Sequence, residues 1–202
     1  MFYSRKDVTV IILAGGLGRR MNGKNKGLLP LKGKMLVEHA IDKLKSQTPH
    51  IIINANNDLS RYEIPGYPVI KDKFSDNQGP LAGILSCQRE ISTPLVLTVP
   101  CDTPLLPNDL LTTMLNSYKE NSPEELCVAH DGKRLQNLFM LFNVDLLSNL
   151  NAFFVADNRK VADWIHNQKF TQVDFSSQTT KFININTEDT LSRIEDEVKS
   201  VK

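Results

Sequence analysis

The chain has 202 residues, 41% of them hydrophobic and 23% charged, with a formal net charge of +1. That length supports one sizeable core, and nothing in the composition marks a boundary between two. Near-neutral charge removes any bulk electrostatic case for nucleic acid or an acidic membrane, so an anionic ligand has to be bound locally.

The first predicted element is a strand over 8–13 (VTVIIL), and a glycine-rich stretch, LAGGLGRRMNGKNKG over 13–27, follows it directly. Glycine costs about 1 kcal/mol per helical position relative to alanine, so five glycines in that stretch predict a loop. Leu36, Val37, Ala40, Ile41 and Leu44 share one face of a helix over 35–47. Strands are expected at 50–54 (HIIIN), 67–71 (YPVIK) and 95–99 (LVLTV), with a helix over 80–91 carrying Leu81, Ile84 and Leu85. Most of these runs are apolar at consecutive positions, as in parallel strands buried on both faces. A helix over 108–119 comes next, then strands at 125–130 and 138–143 with Asp131-Gly132 between them, a spacing that suits antiparallel pairing. Helices at 144–150 and 158–168, strands at 171–175 and 181–185, and a charged helix opened by Thr187 with Glu188 and Asp189 in its first turn complete the series. Strand, helix, strand in repetition predicts a doubly wound α/β fold, Rossmann-like, with a mainly parallel but mixed sheet in one domain over 1–202.

Cys87 and Cys127 read as core residues and Cys101 as one that packs rather than reacts; an odd number without metal-type spacing fits a reducing compartment. The N-terminal MFYSRKDV lacks a signal-peptide pattern and the apolar runs are short of a membrane span, so the expectation is a cytoplasmic protein with no membrane partner.

In a doubly wound sheet the loop after the first strand lies at the carboxyl edge, where ligands bind. Its glycines let backbone N–H groups approach phosphate oxygens, and Arg19, Arg20, Lys24 and Lys26 supply positive charge. A solvated basic turn is the plainer alternative. A dinucleotide fingerprint needs a third glycine where Met21 stands. The P-loop pattern matches at Gly18, Gly23 and Lys24, but Asn25 replaces the hydroxyl residue that holds the metal, and Gly27, Pro30 and Gly33 interrupt the helix that should follow.

Leu13, Gly15, Gly16, Gly18, Arg20, Met21 and Lys26 resemble the signature of nucleotidyltransferases that make nucleotide sugars and cofactors. NKGLLPLKGKMLVEHAI (25–41), NAN (54–56), GPLAG (79–83), PCDTP (100–104) and NINT (184–187), in that order, resemble the molybdenum cofactor guanylyltransferases called MobA. The resemblance runs from about residue 8 to 194. It implies a nucleotide-binding part over about 8–107 and an acceptor-binding part over about 108–194, and transfer of GMP from GTP to molybdenum-molybdopterin with release of pyrophosphate. It also implies transient contacts with molybdenum-insertion proteins and apo-molybdoenzymes. A relative using CTP or a sugar-phosphate acceptor, or a nucleotide-binding protein without turnover, are the competing readings.

The residues can be tested against those roles. Asp102 follows an apolar strand, which puts a carboxylate beside the loop; Mg²⁺ takes one or two carboxylates with substrate phosphates and water, so one aspartate can suffice. A turn or cap role is its alternative, since Thr103 and Pro104 follow. By resemblance Arg20, Lys26 and Asp102 are the catalytic set, with Asp102 on the metal. The nucleotide is assigned to Leu13, Ala14, Gly15, Gly16, Lys26, Asn54, Asp72, Gly79 and Asp102. Guanine offers N1–H and N2–H donors that an acceptor at Asn54 or Asp72 can select; either residue could instead cap a strand end. Gly83, Asn184 and Asn186 are assigned to the acceptor, and the two asparagines are expected to alternate on a strand and face one side. The chain departs from the family where Gln136-Asn137 stand in place of a frequent His-Pro pair and Asn25 in place of a frequent acidic residue.

Overall fold

The structure, a computed structural model, describes residues 3–16, 25–75, 78–118 and 126–199. Its first strand, β1 (Val8–Leu13), is buried along its whole length. Successive side chains of a strand leave opposite faces. Accordingly Val8, Val10 and Ile12 enter one apolar cluster and Ile11 and Leu13 the other.

After β1 the chain forms a two-residue hairpin, β2 (Pro30–Leu31) and β3 (Lys34–Met35), then helix α1 (Leu36–Leu44). The hairpin was not foreseen in the sequence. Its turn has φ of 49° at Lys32 and 77° at Gly33, the two left-handed positions that suit a tight hairpin. Then come β4 (His50–Asn54), a short helix α2 (Leu59–Glu63) and β5 (Val69–Ile70). Helix α3 (Pro80–Ser86) leads to β6 (Leu95–Pro100) and α4 (Leu110–Ser117). The second half holds β7 (Leu126–His130), β8 (Leu135–Asn143), α5 (Leu146–Val155), α6 (Val161–His166), β9 (Phe170–Asp174) and α7 (Glu188–Lys199).

The seven-stranded sheet has the order β5-β4-β1-β6-β8-β7-β9. Only β8 runs against its neighbours β6 and β7; β1 is parallel to both β4 and β6, and β9 to β7. The mixed, mainly parallel doubly wound sheet expected from the sequence is therefore present. From β1 the chain moves outward to β4 and β5, then returns through α3 to β6 on the other side of β1. That reversal opens a crevice at the carboxyl ends of β1 and β6, the usual place for a ligand in such sheets.

One face of the sheet is covered by α1 and α4 through Val37, Ala40, Ile41, Leu44, Leu110, Leu111 and Met114. The other is covered by α3, α5 and α6 through Leu81, Ile84, Leu85, Leu150, Trp164 and Ile165. Each fully buried Val, Leu, Ile or Met among them contributes roughly 1.5–3 kcal/mol of transfer free energy. A third, small cluster joins Leu29, Leu31 and Leu36 to Ile185 and Ile194, so that α7 closes over the β2–β3 hairpin. Among the described residues no helix is long and apolar enough to cross a membrane.

Several element bounds differ from the sequence reading. The helix expected over 80–91 is α3 followed by a 3-10 turn, Cys87–Glu90. β8 begins three residues earlier than the expected 138 and α5 runs on past 150. The strand expected over 181–185 is absent. Residues Ser176–Phe182 form 3-10 turns kinked at Gln178, and 183–187 carry no strand pairing. Phe182 stacks edge-on against Phe139 and Phe175 in the first cluster, whereas Ile185 enters the third. The apolar periodicity thus serves two separate cores instead of one sheet face.

Candidate functional site

The run Leu95–Pro100 carries the chain to the carboxyl edge of the sheet and delivers Cys101 and Asp102 there. The register with β1 continues one step further, since the Cys101 N–H donates to the Leu13 carbonyl (3.1 Å). Opposite Asp102 stands Lys26, whose Nζ lies 3.1 Å from Asp102 Oδ2, with both side chains largely enclosed. Lys26 opens a 3-10 turn, Lys26–Leu28, preceded by Asn25. Asn25 is anchored by accepting a hydrogen bond from Tyr62 Oη (2.5 Å). Gly27 makes that anchor possible, because a Cβ there would stand 2.3 Å from Tyr62 Oη.

The segment 184–186 completes this corner. Lys26 Nζ donates to Asn186 Oδ1 (2.5 Å), the Ile185 N–H donates to the Asp102 carbonyl (2.8 Å), and Thr103 Oγ1 donates to Asn184 Oδ1 (2.8 Å). Burial pushes the Asp102 carboxyl above the usual carboxylate range, and the Lys26 ammonium opposes it. Asp102 Oδ1 is buried and has no hydrogen-bond partner among the described residues. A buried carboxylate oxygen left without a donor is costly. It is also the hard oxygen ligand that a divalent cation such as Mg²⁺ takes, so the residues present fit a metal at this carboxylate. Cys101 beside it is buried, and that burial pushes its thiol far up, so it packs and does not react.

A second corner lies one strand away. Asn54 ends β4, and Asp72 follows β5 by two residues. Asn54 Nδ2 donates to Asp72 Oδ1 (2.7 Å) and to the Ile70 carbonyl (3.1 Å). Asn56 Nδ2 donates to the other carboxylate oxygen, Asp72 Oδ2 (2.8 Å), and Asn56 Oδ1 accepts from the Asp72 N–H (3.0 Å). Beside them is a cavity of about 380 Å³ lined by Asn56, Asp72, Lys71, Lys73 and Phe74 among others. Two glycines allow this close approach. A Cβ on Gly83 would lie 2.2 Å from Asn54 Oδ1, and one on Gly15 would lie 2.9 Å from Asn56 Nδ2. Gly79 precedes α3 with φ of 87° and ψ of −176°, a region essentially reserved for glycine, and Pro80 then starts the helix.

The MobA-like NTP transferase domain family matches residues 10–173. The chain belongs to this family. It is similar to the molybdenum cofactor guanylyltransferase of Shewanella sediminis (strain HAW-EB3), 42% identical over 182 residues that cover 90% of this chain and 92% of that one. It is 39% identical to the molybdenum cofactor guanylyltransferase of Shewanella sp. (strain MR-4) over 192 residues, covering 95% and 97% of the two chains. Among solved structures, molybdopterin-guanine dinucleotide biosynthesis protein A of Archaeoglobus fulgidus superposes with a TM-score of 0.76 at 21% identity, covering 96% of this chain and all of that one.

Placed in this family's fold, the residues singled out in the sequence fall into two groups. Lys26, Asp102, Asn184 and Asn186 gather at the carboxyl edge of β6, and Gly15, Asn54, Asp72 and Gly83 at that of β4. Gly83, assigned to the acceptor in the sequence, is buried in α3 beneath Asn54 and Leu13. Asn184 and Asn186 do not alternate on a strand; they turn to different partners, Thr103 and Lys26. The Ala14 N–H is already donated to the Asn54 carbonyl (2.8 Å), while Gly16 is exposed and a Cβ on it would meet nothing within 4 Å among the described residues. Arg20 lies outside the described residues, as do Gly18, Met21 and Lys24. Sequence reasoning missed two supports: Asn56, which the period-two spacing of Asn-Ala-Asn already put on the side of Asn54, and the Tyr62–Asn25 anchor, for which no local pattern existed.

Proposed function

We propose that this chain, acting as a single nucleotidyltransferase domain, transfers GMP from GTP to the terminal phosphate of molybdenum-molybdopterin and releases pyrophosphate. The observation that carries the reading is the pairing of Lys26 with Asp102 in the switch-point crevice, with one buried carboxylate oxygen left for a cation. Family membership and the names of the relatives support the choice of nucleotide and acceptor.

In the proposed reaction an oxygen of the acceptor phosphate forms a bond to the α-phosphorus of GTP as the bond to the bridging α–β oxygen breaks. The electron pair leaves on pyrophosphate. The attacking phosphate is already ionised near neutral pH, so the chain needs no general base, and its task is positioning and charge neutralisation. Asp72 accepts hydrogen bonds from guanine N1–H and N2–H, with Asn54 holding it. Gly15 and Gly16 let the nucleotide loop approach the phosphates, and Gly79 with Pro80 shapes the loop ahead of α3. Lys26 and Arg20 supply positive charge to the triphosphate. Asp102 would hold Mg²⁺, which supplies further neutralisation of phosphate charge when bound. Lys26 exchanges Asp102 Oδ2 for a phosphate oxygen, and Asn186 keeps its ammonium at the crevice meanwhile.

Pyrophosphate release measured with GTP, CTP, ATP and UTP, each with and without molybdopterin and Mg²⁺, tests the proposal. Among the four nucleotides release is expected only from GTP, and only when molybdopterin and metal are present; release from another nucleotide, or with a sugar phosphate supplied in place of molybdopterin, overturns it. Asp102→Asn is expected to lower turnover at least about 10²-fold, the scale of losing one preorganised electrostatic group, with the fold retained by circular dichroism. Full activity in that variant removes the metal role.

A further inference from the structure

We propose that Asn56 is a positioning residue for nucleotide selectivity, aiming the Asp72 carboxylate at the base and tying it to the phosphate loop. The inference rests on the reading that Asp72 recognises guanine, and it adds a residue that takes no part in that reading. Asn56 grips Asp72 from two directions, donating from Nδ2 to Oδ2 (2.8 Å) and accepting at Oδ1 from the Asp72 backbone N–H (3.0 Å). Asn54 takes the opposite carboxylate oxygen at 2.7 Å. With an amide on each oxygen, the carboxylate plane is fixed and cannot rotate about its own bond without breaking a charge-assisted hydrogen bond.

Geometry also says where the carboxylate is held. Asn56 and Asp72 both line the cavity of about 380 Å³, so the pair is held at the wall of that cavity. A planar acceptor pair held at one angle suits the two parallel donors on the guanine edge. A carboxylate free to rotate meets adenine, hypoxanthine and guanine with less difference between them. Discrimination of this kind depends on groups that stay in place when the wrong base is bound and are then left unpaired.

The same amide reaches the loop after β1. Asn56 Nδ2 also lies 3.3 Å from the Gly15 carbonyl, and Gly15 has no room for a Cβ because Asn56 is there. One side chain therefore touches both the base-reading carboxylate and the backbone proposed to face the phosphates. An incorrect base that displaces Asp72 is expected to disturb the loop through Asn56, so selectivity is felt at the phosphates as well as at the base.

Two variants and three nucleotides test this. Asn56→Asp keeps the acceptor for the Asp72 N–H but replaces the amide donor with a like charge; Asn56→Ala removes both. GTP, ITP (which lacks the 2-amino group) and ATP are compared by kcat/KM for pyrophosphate release with molybdopterin, and by equilibrium binding, with Asp72→Asn as reference. Both Asn56 variants are expected to lower the GTP-over-ITP ratio about tenfold, the scale of one lost hydrogen bond to a charged group, with GTP binding weakened more than ITP binding. A merely structural Asn56 would lower all three nucleotides alike and leave the ratios unchanged, which overturns the proposal, as does selectivity at the wild-type level in folded Asn56→Asp. If Asp72→Asn itself leaves the ratios unchanged, the base-reading role of Asp72 fails and the inference about Asn56 fails with it. If Asp72→Asn changes them and the Asn56 variants do not, only the inference fails.

Discussion

Gly83 shows how a single missing methyl group can hold a site together. It sits inside α3, where alanine would be favoured by about 1 kcal/mol on helix propensity. Yet a Cβ there would come within 2.2 Å of Asn54 Oδ1 and 3.3 Å of Leu13 Cδ2. Asn54 has nowhere to retreat, being 2% exposed and bonded to both Ile70 and Asp72. Gly83→Ala is therefore expected to destabilise by roughly 1–3 kcal/mol, the range for overpacking, against the sign that propensity alone predicts. Thermal unfolding checks the sign, and GTP binding should weaken in parallel as Asn54 and Asp72 are displaced. At this scale the sequence was informative about placement: Asn54, Asp72 and Asp102 stand at or just past the ends of β4, β5 and β6 on one edge, and Lys26 faces Asp102 from the 3-10 turn that it opens. It was silent on Tyr62, which reaches Asn25 from α2 across a distance that no spacing rule encodes.

Between elements, the turn from β7 to β8 offers a cleaner energetic test than the site itself. Asp131 is 6% exposed. Burial pushes its carboxyl up, but the backbone N–H groups of Arg134 and Lys133 and the amide of Gln136 outweigh it, holding the group below the ordinary carboxylate range. A carboxyl lowered on folding stabilises the fold above its unfolded pKa, and that contribution disappears as pH falls through the folded value. Asp131→Ala is expected to cost about 1–3 kcal/mol in urea unfolding near neutral pH, and the gap from the wild type should close as the solution is acidified below the ordinary aspartate range. A gap that stays constant with pH would mean the carboxylate charge is not what the turn uses. Here Asp131-Gly132 announced the turn correctly because Gly132 has φ of 88°, a backbone state that its type favours. The strand expected over 181–185 fails for the opposite reason: Phe182 is buried against Phe139 and Phe175 and Ile185 against Leu29, Leu31, Leu36 and Ile194, and a short apolar run divided between two cores looks like a strand in one dimension.

For the molecule as a whole, the doubly wound and mixed character of the sheet followed from repetition of short apolar runs with helical stretches between them, whereas the strand order is seen only in the structure. What one sequence could not convey is that the last helix is needed at the first loop. Ile194 of α7 is fully buried with Leu29, Leu31, Leu36 and Ile185, so α7 clamps the segment that carries Asn184 and Asn186. Ile194→Ala is expected to lower stability by roughly 2–4 kcal/mol, with cavity formation added to lost transfer energy. The loss should be local before it is global. Hydrogen exchange at the Ile185 N–H, which is bonded to the Asp102 carbonyl, should accelerate more than exchange in β1 or β6. Uniform acceleration would show that α7 melts only with the entire sheet.

The bond from Lys26 to Asn186 spans 160 positions of the chain. Synthesis runs from the N-terminus, and a domain folds as a unit. Asn54, Asp72 and Asp102 are thus all synthesised well before the partner of Lys26 has been made. The corner proposed for chemistry can close only once residue 186 has been translated, so a translation product that stops short of Asn186 lacks one of the two groups that hold the Lys26 ammonium.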